Sequence, residues 1–413
     1  MTQKASIADV RRANRALLLR HMLLEGPTSR RDLTAVTGLS PGTVTNVMNS
    51  LLDEGAVRED GFRDSSGGRP RAIVSLAGAA AVVIGADVGE THIRTGAYSL
   101  ALGRLASREH VIDGRHIEVD EARTVIADHI TSLMAELSVP RSRLLGVGVG
   151  VPGIVEQVNR ADGTVHAIVH AEVIGWRDVS FDGLSDQLQT AVFLDNGAKT
   201  TTQAECWYGA ARGVEHAVMV LIGDGAGAGI ITDGHIYRGS SSSAGEWGHT
   251  KISLDGPQCR CGSRGCVETF VGVSAVLHQW QGDQDWAGRE PEGVATLFAA
   301  WHSGDPIAQK VTHGLIQTLG LSLANLVNLY NPQKIIIGGW FGDRIATELL
   351  PELRQAVRTF SLSQPGGEAV LQRPALGQEA VALGAATLPI NHFIEYGGSH
   401  QLATRALPKG TSR

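Results

Sequence analysis

The 413-residue chain has little of what marks a membrane or secreted protein. It carries four cysteines, and no apolar run approaches the roughly 18 residues that a spanning helix needs. No apolar signal core precedes its first polar stretch, so export is not expected and a reducing cytoplasm is the expected location. Aromatic residues make up only 5% and charged residues 19%, against 43% hydrophobic, a soluble globular balance with ample material for a core. Strong net charge is also missing. The formal value is −6, too small to name a partner, but it is uneven. Residues 1–77 hold 11 Lys/Arg against 8 Asp/Glu, or +3, which leaves 25 against 34, or −9, for the rest. At this length two or three compact units are expected.

Three of the four cysteines fall in one stretch. Ala244-Gly245-Glu246-Trp247-Gly248-His249 is followed by Cys259-Arg260-Cys261-Gly262-Ser263-Arg264-Gly265-Cys266-Val267-Glu268. An imidazole and three thiolates supply four soft or borderline ligands, the set a closed tetrahedral zinc site requires. The spacing therefore predicts structural zinc on His249, Cys259, Cys261 and Cys266. A closed site has no position for a metal-bound water, so the metal shapes the loop that carries Glu246 and Glu268. A disulfide and unrelated buried cysteines are the bland alternatives. Cys259 and Cys261 are too close in sequence to bridge each other comfortably, and a reducing compartment disfavours any bridge.

The first eighty residues read as three short helices and a hairpin. Ala13, Leu17, Leu18 and Leu24 recur at near-helical spacing before Gly26-Pro27, Thr28 or Ser29 can cap a second helix that Gly38 stops, and Ser40-Pro41 opens a third. In the third, Val44, Val47, Met48, Leu51 and Leu52 share a face, while Thr43, Thr45, Asn46 and Asn49 point away. Two helices joined by Thr37-Gly38-Leu39 form a helix-turn-helix whose second member can enter a major groove. The strands around Ser65-Ser66-Gly67-Gly68 form a wing ending in the cationic Arg69-Pro70-Arg71. A small protein-interaction domain is the alternative. Ser40, Thr43, Thr45, Asn46, Arg69 and Arg71 are the candidate DNA contacts.

Beyond the connector at 77–81, strand-like runs (82–88, 146–151, 192–194) alternate with helical ones (121–137, 200–208), which argues for an α/β architecture. Two strand-turn units, Val82 to Gly89 and Val218 to Gly229, suggest a duplicated fold. Their glycines can approach phosphate oxygens closely, although plain tight turns would look the same. Residues 281–293 read as a polar surface loop.

Taken together, these stretches resemble the ROK family (repressors, open reading frames and sugar kinases), in its transcription-factor branch. The similarity rests on the helix-turn-helix and wing, on Gly148-Val149-Gly150-Val151-Pro152-Gly153, on Gly175-Trp176, on the His-plus-three-Cys pattern, and on Asn328 to Pro332 with Ile337-Gly338-Gly339. The resemblance implies an N-terminal winged helix-turn-helix followed by an actin-like ATPase (sugar kinase) fold of two α/β lobes. Expected boundaries are 1–77 for the DNA-binding domain, 82–195 for the first lobe, 196–390 for the second with its zinc loop, and 391–413 for a tail. It further implies sugar in the interdomain cleft, held by Asn196, Glu246, His249 and Glu268. For the two glutamates, bracing the zinc loop is the competing role.

Departures from the kinase pattern set the expected activity. Kinases of the family read Asn-Asp-Ala-Asn where this chain has Asn196-Gly197-Ala198-Lys199, so Gly197 stands in place of the general base, whose loss costs about 10²–10⁴ in rate. In the first turn Glu90 replaces a glycine and His92 a lysine, and in the second Asp224 replaces a Ser or Thr. A carboxylate about 4 Å from a phosphate charge costs on the order of 4 kcal/mol at an effective dielectric near 20. The expected function is a sugar-responsive DNA-binding transcriptional regulator, a repressor of carbohydrate-related genes, with a degenerate kinase domain as sensor and no catalytic residue. Its expected partners are a double-stranded operator, a sugar or sugar derivative, and further copies in a homodimer or homotetramer, with no membrane. The alternative is an active ATP-dependent sugar kinase that also binds DNA.

Overall fold

Ser6 and Asp9 start the first helix earlier than apolar spacing alone indicates. Ser6 Oγ accepts from the Asp9 amide at 3.1 Å and the Asp9 carboxylate accepts from the Ser6 amide at 3.1 Å, a reciprocal cap that opens α1 (Ile7–Glu25). The computed structural model describes residues 6–63, 70–112, 116–159, 165–171, 174–282, 284 and 286–398. Leu18, Leu19, Met22 and Leu23 form the buried face of α1, whereas Leu17 is exposed. After β1 (Thr28–Ser29), α2 (Arg30–Thr37) is capped by Ser29 and closed by Gly38 in the left-handed region. Ser40 caps α3 (Pro41–Asp53), with Pro41 at its first position. Strands β2 (Val57–Arg63) and β3 (Arg71–Leu76) pair antiparallel, and β1 adds to β3. This is the winged helix-turn-helix arrangement that the spacing predicts. Its core of Leu18, Leu19, Leu33, Val44, Met48 and Leu51 is fully buried, at about 1.5–3 kcal/mol for each large side chain.

The chain divides into two compact units, one made of the residues up to Gly197 with those from Val381 onward, the other of Ala198–Ala380. In the first, β4 (Val82–Val88), β5 (His92–Ser99) and β6 (Arg104–Val111) form an antiparallel meander. Helix α4 (Val119–Glu136) then leads to β7 (Leu144–Val151), a small sheet of β8 (Ile154–Asn159), β9 (Val165–Ala171) and β10 (Trp176–Val179), helix α5 (Asp182–Leu188) and β11 (Val192–Asn196). The main sheet runs β11-β7-β4-β5-β6, with β11, β7 and β4 parallel. Strands β4 and β7 are buried along their whole length, which accounts for their near-continuous apolar sequence.

The second unit repeats the plan. Helix α6 (Gly197–Tyr208) precedes β12 (Ala217–Ile222), β13 (Ala226–Thr232) and β14 (His235–Ile236). The stretch with His249 and the three clustered cysteines follows, then α7 (Glu268–Val271), α8 (Val273–Gln281), α9 (Glu290–His302), α10 (Pro306–Tyr330), β15 (Lys334–Gly338), α11 (Trp340–Phe360), α12 (Ser363–Glu368) and β16 (Val370–Gln372). Its sheet order is β14-β13-β12-β15-β16, with β12, β15 and β16 parallel. In both sheets the first strand is central, a meander lies on one side and two parallel strands on the other. The duplication read from two glycine turns is thus a duplication of topology.

Two boundaries differ from the sequence reading. The polar segment at 281–293 is interrupted, because Pro291 in the first turn starts α9 at Glu290 and both Glu290 and Gly293 are buried. The second lobe does not extend to 390. The final helix α13 (Ala380–Glu395) belongs with the first unit from Val381 onward. The reason is steric: a Cβ on Gly148 of β7 would run into the Ala385 carbonyl, and one on Gly85 of β4 into that of Ala382, so α13 lies directly on the first sheet. Apolar periodicity marks a buried helix but not the sheet that buries it.

Candidate functional site

The four predicted metal ligands come together. His249 closes a short 3-10 turn, Trp247–His249, packed beside β13, and Gly248 is required there because any Cβ would strike the Ala226 carbonyl. Cys259 and Cys266 are buried and Cys261 is exposed. The Cys259 amide donates to the Ser263 carbonyl at 2.7 Å and Gly262 N to the Cys259 carbonyl at 3.0 Å, which folds the Cys-Arg-Cys-Gly stretch into a tight turn. The four ligand atoms all lie within 4.8 Å of one another. Cys259 Sγ is 3.7 Å from His249 Nδ1, and Cys261 Sγ is 3.7 Å from Cys266 Sγ. With metal–sulfur bonds of about 2.3 Å, a tetrahedron has sulfur–sulfur edges of roughly 3.8 Å, so the donor set fits a zinc ion in size as well as chemistry. Burial pushes the Cys259 thiol up to about 12, so a metal must displace its proton to bind there.

Two cationic side chains at this site were not singled out from the sequence. Lys251 Nζ lies 2.7 Å from Cys266 Sγ and 3.1 Å from the His249 carbonyl, a donor to the thiolate. Arg260, between two ligand cysteines, donates Nε to Glu268 Oε1 at 2.9 Å. The other oxygen of Glu268 accepts from Ala226 N at 3.1 Å. The only available signal was adjacency to the ligands, and spacing does not say which way such side chains turn.

Three of the four sugar-side residues, Glu246, His249 and Glu268, stand in the second unit around this loop. Glu246 is half-buried, and burial raises its carboxyl above the ordinary value, against the pull of His249 and Lys199. With Nδ1 toward the cysteines, His249 keeps Nε2 for another partner. Asn196 ends β11 in the first unit, where its amide donates to the Gly153 carbonyl at 2.6 Å. Asp195 is buried and accepts from the Asn196 amide at 2.9 Å. At Gly197 the nearest atoms to an added Cβ are Val151 O and Val381 Cγ1, both at 3.7 Å, so packing does not demand glycine.

Side chains already lie over both glycine turns. In the first, His92 Nε2 is 3.3 Å from Asp87 Oδ2 and its Nδ1 is 3.2 Å from Thr91 Oγ1, which folds the ring back over Gly89. In the second, the Trp340 ring stands within 3.1 Å of where a Gly223 Cβ would be, and Ser274 Oγ donates to Asp224 at 3.4 Å.

Of the DNA-contact candidates, Ser40, Thr45 and Asn46 are exposed on α3 and Thr43 is half-buried. Ser40 Oγ accepts from the Thr43 amide at 3.1 Å and meets its hydroxyl at 2.9 Å. Arg71 is half-buried at the start of β3, 4.0 Å from Asp32. Arg69, with the wing tip, lies outside the described residues.

The profile of the ROK family matches residues 83–392. The chain is 30% identical to a xylose repressor of Bacillus subtilis (strain 168) over 94% of its own length and 98% of the relative's. It is also 30% identical to a glucokinase of Halalkalibacterium halodurans, over 74% of this chain and 94% of that one. In fold it matches a crystal structure of a ROK family transcriptional regulator, a homolog of the E. coli MLC protein, with a TM-score of 0.77 and 24% identity over 96% of this chain and all of that one.

Proposed function

This chain belongs to the ROK family, and we propose that it is a sugar-responsive DNA-binding repressor whose kinase-like units sense the sugar without phosphorylating it. The observation that carries this reading is a winged helix-turn-helix arrangement over residues 7–63 and 71–76 on a chain whose likeness to a named repressor extends over 94% of its length. A kinase relative matches 74%. In the proposed complex α3 enters a major groove with Thr43, Thr45 and Asn46 toward base edges, Ser40 at its N-terminal end, and Arg69 and Arg71 on the minor groove and backbone. A two-fold dimer would suit half-sites roughly 34 Å apart.

On the sugar side, Glu246 and Glu268 accept hydroxyl hydrogen bonds, each about 1.5–3 kcal/mol where the acceptor is charged, and His249, with Nδ1 toward the metal, donates from Nε2–H to a hydroxyl oxygen. Asn196 is added from family resemblance. His249, Cys259, Cys261 and Cys266 would hold zinc, which when bound supplies structural cross-linking of the loop. Lys251 offsets the excess negative charge of three thiolates, and Arg260 fixes the orientation of Glu268. Phosphoryl transfer is lost because Gly197 offers no base and His92 already engages Asp87. No helix among the described residues is long and apolar enough to cross a membrane.

The test is operator binding. A duplex selected from a random pool is titrated with the protein in the presence of a sugar panel that begins with xylose and glucose. At least one sugar should weaken binding about tenfold or more. A panel that leaves affinity untouched removes the sensor reading, and sugar-dependent ATP turnover in a coupled assay would install the kinase in its place.

A further inference from the structure

We propose that Arg15 is a positioning residue that locks recognition helix α3 to the end of α13, and that ligand response reaches the DNA-binding helices through this joint. The inference rests on the repressor reading above. Arg15 stands on α1 and is 7% exposed. Its guanidinium serves two other elements at once. Nη1 and Nη2 grip Glu54 Oε1 and Oε2 at 2.7 and 2.6 Å, and Nη1 also donates to Ser50 Oγ at 2.8 Å, both partners at the C-terminal end of α3. Nε donates to the carbonyl of Gly397, 382 residues away, in the turn that ends α13.

That turn is pressed onto the same helices. Gly398 has φ +77°, and a Cβ there would lie 2.6 Å from Leu19 Cδ1 and 3.4 Å from Leu51 Cδ2. Arg20 reaches Asn391 of α13 at 3.4 Å. The other end of α13 starts where the chain returns from the second unit, at Ala380 to Val381. The Val381 side chain lies 3.7 Å from where a Cβ of Gly197 would be, and Gly197 marks the outgoing crossing. Between these ends the α13 backbone approaches β4 at Gly85 and β7 at Gly148, and the Pro389 side chain lies over Gly146 of β7. One helix, α13, with Pro389 in its interior, therefore connects both chain crossings to the recognition helix.

A bidentate arginine fork is directional, and a buried guanidinium that loses one partner is left with an unsatisfied donor. The joint thus favours one discrete position of α3 relative to α13, and its release would supply the second state that coupling needs.

The experiment compares wild type, R15M and R15K in the full chain. The probes are a duplex that wild type selects from a random pool and the sugar that most raises its melting temperature. Operator affinity is measured with and without saturating sugar, and sugar affinity separately. Wild type is expected to change operator affinity about tenfold with sugar. R15M should bind the sugar within twofold of wild type while its sugar effect shrinks below twofold, and R15K, which keeps the charge but not the fork, should fall between. A merely stabilising Arg15 would lower the melting temperature and leave the ratio intact. Should R15M fail to fold, E54Q gives the same readout with side-chain volume preserved. A wild-type-sized sugar effect in R15M or E54Q overturns the inference alone. A wild-type chain that selects no duplex overturns the repressor reading, and this inference with it.

Discussion

The His249–cysteine loop and the glycine turns both carry polar and ionisable side chains, yet they direct them differently. In the loop, four donors converge on one point, with Cys261 and Cys266 spaced like two corners of a tetrahedron. In the first turn, Asp87, Thr91 and His92 are spent on one another, and in the second the Trp340 ring covers Gly223. A centre whose groups face a common point is organised for a guest. A turn whose groups face each other has its most reactive side chains already engaged. That contrast, within one pair of duplicated sheets, is what supports the proposed reading of a sugar sensor that does not transfer a phosphoryl group.

The largest way to break the comparison is at the metal. His249→Ala, or exhaustive chelation of the wild type, should release one zinc per chain by elemental analysis and lower the melting temperature on the order of 10 °C, since structural zinc contributes folding energy directly. A zinc-free chain of unchanged melting temperature would mean that the loop is held by its hydrogen bonds alone. Next in size is Glu246→Gln, which keeps the shape but replaces a charged acceptor by a neutral one. Sugar affinity by calorimetry should fall roughly tenfold, with the melting temperature of the free protein equal to or above wild type, because burial already disfavours the ionised carboxyl. Unchanged affinity would return Glu246 to a bracing role.

Much of this was legible in the sequence because it depends on local chemistry. Ser29 and Ser40 announce α2 and α3 as caps, and Gly38 announces the break between them. The clustering of His249 with the cysteines was legible because three of the four donors fall within eight residues. What stayed hidden depends on distant packing. Nothing in the apolar pattern of α13 says that it returns to β4 and β7; the evidence is in Gly85 and Gly148, whose missing side chains read equally well as strand flexibility. Arg15 looked like one of several arginines alternating with leucines, and only the fold brings it to Gly397. Exposure of Leu17 has the same origin, since helical spacing fixes a stripe only to within about one residue until a partner surface selects it.

The smallest effect sharpens the comparison most. Gly197→Asp restores the carboxylate that kinases of this family carry, at a position where the nearest atoms to a new Cβ are 3.7 Å away and φ is not in the left-handed region. Because Gly197 begins α6, an acid there also meets the positive end of the helix dipole, worth about 0.3–1 kcal/mol, and removal of a helical glycine adds up to about 1 kcal/mol. The variant should therefore fold with a melting temperature equal to wild type or a few degrees higher. Its sugar-dependent ATP turnover, followed in a coupled assay, should stay at background, because the base is only one lesion and the turns remain filled by His92 and Trp340. Turnover appearing on this single substitution would show that the turns open readily to a nucleotide and that the difference between the two regions is one missing carboxylate. Continued silence, with His92→Lys also required before any signal is seen, would place the difference in the turns themselves.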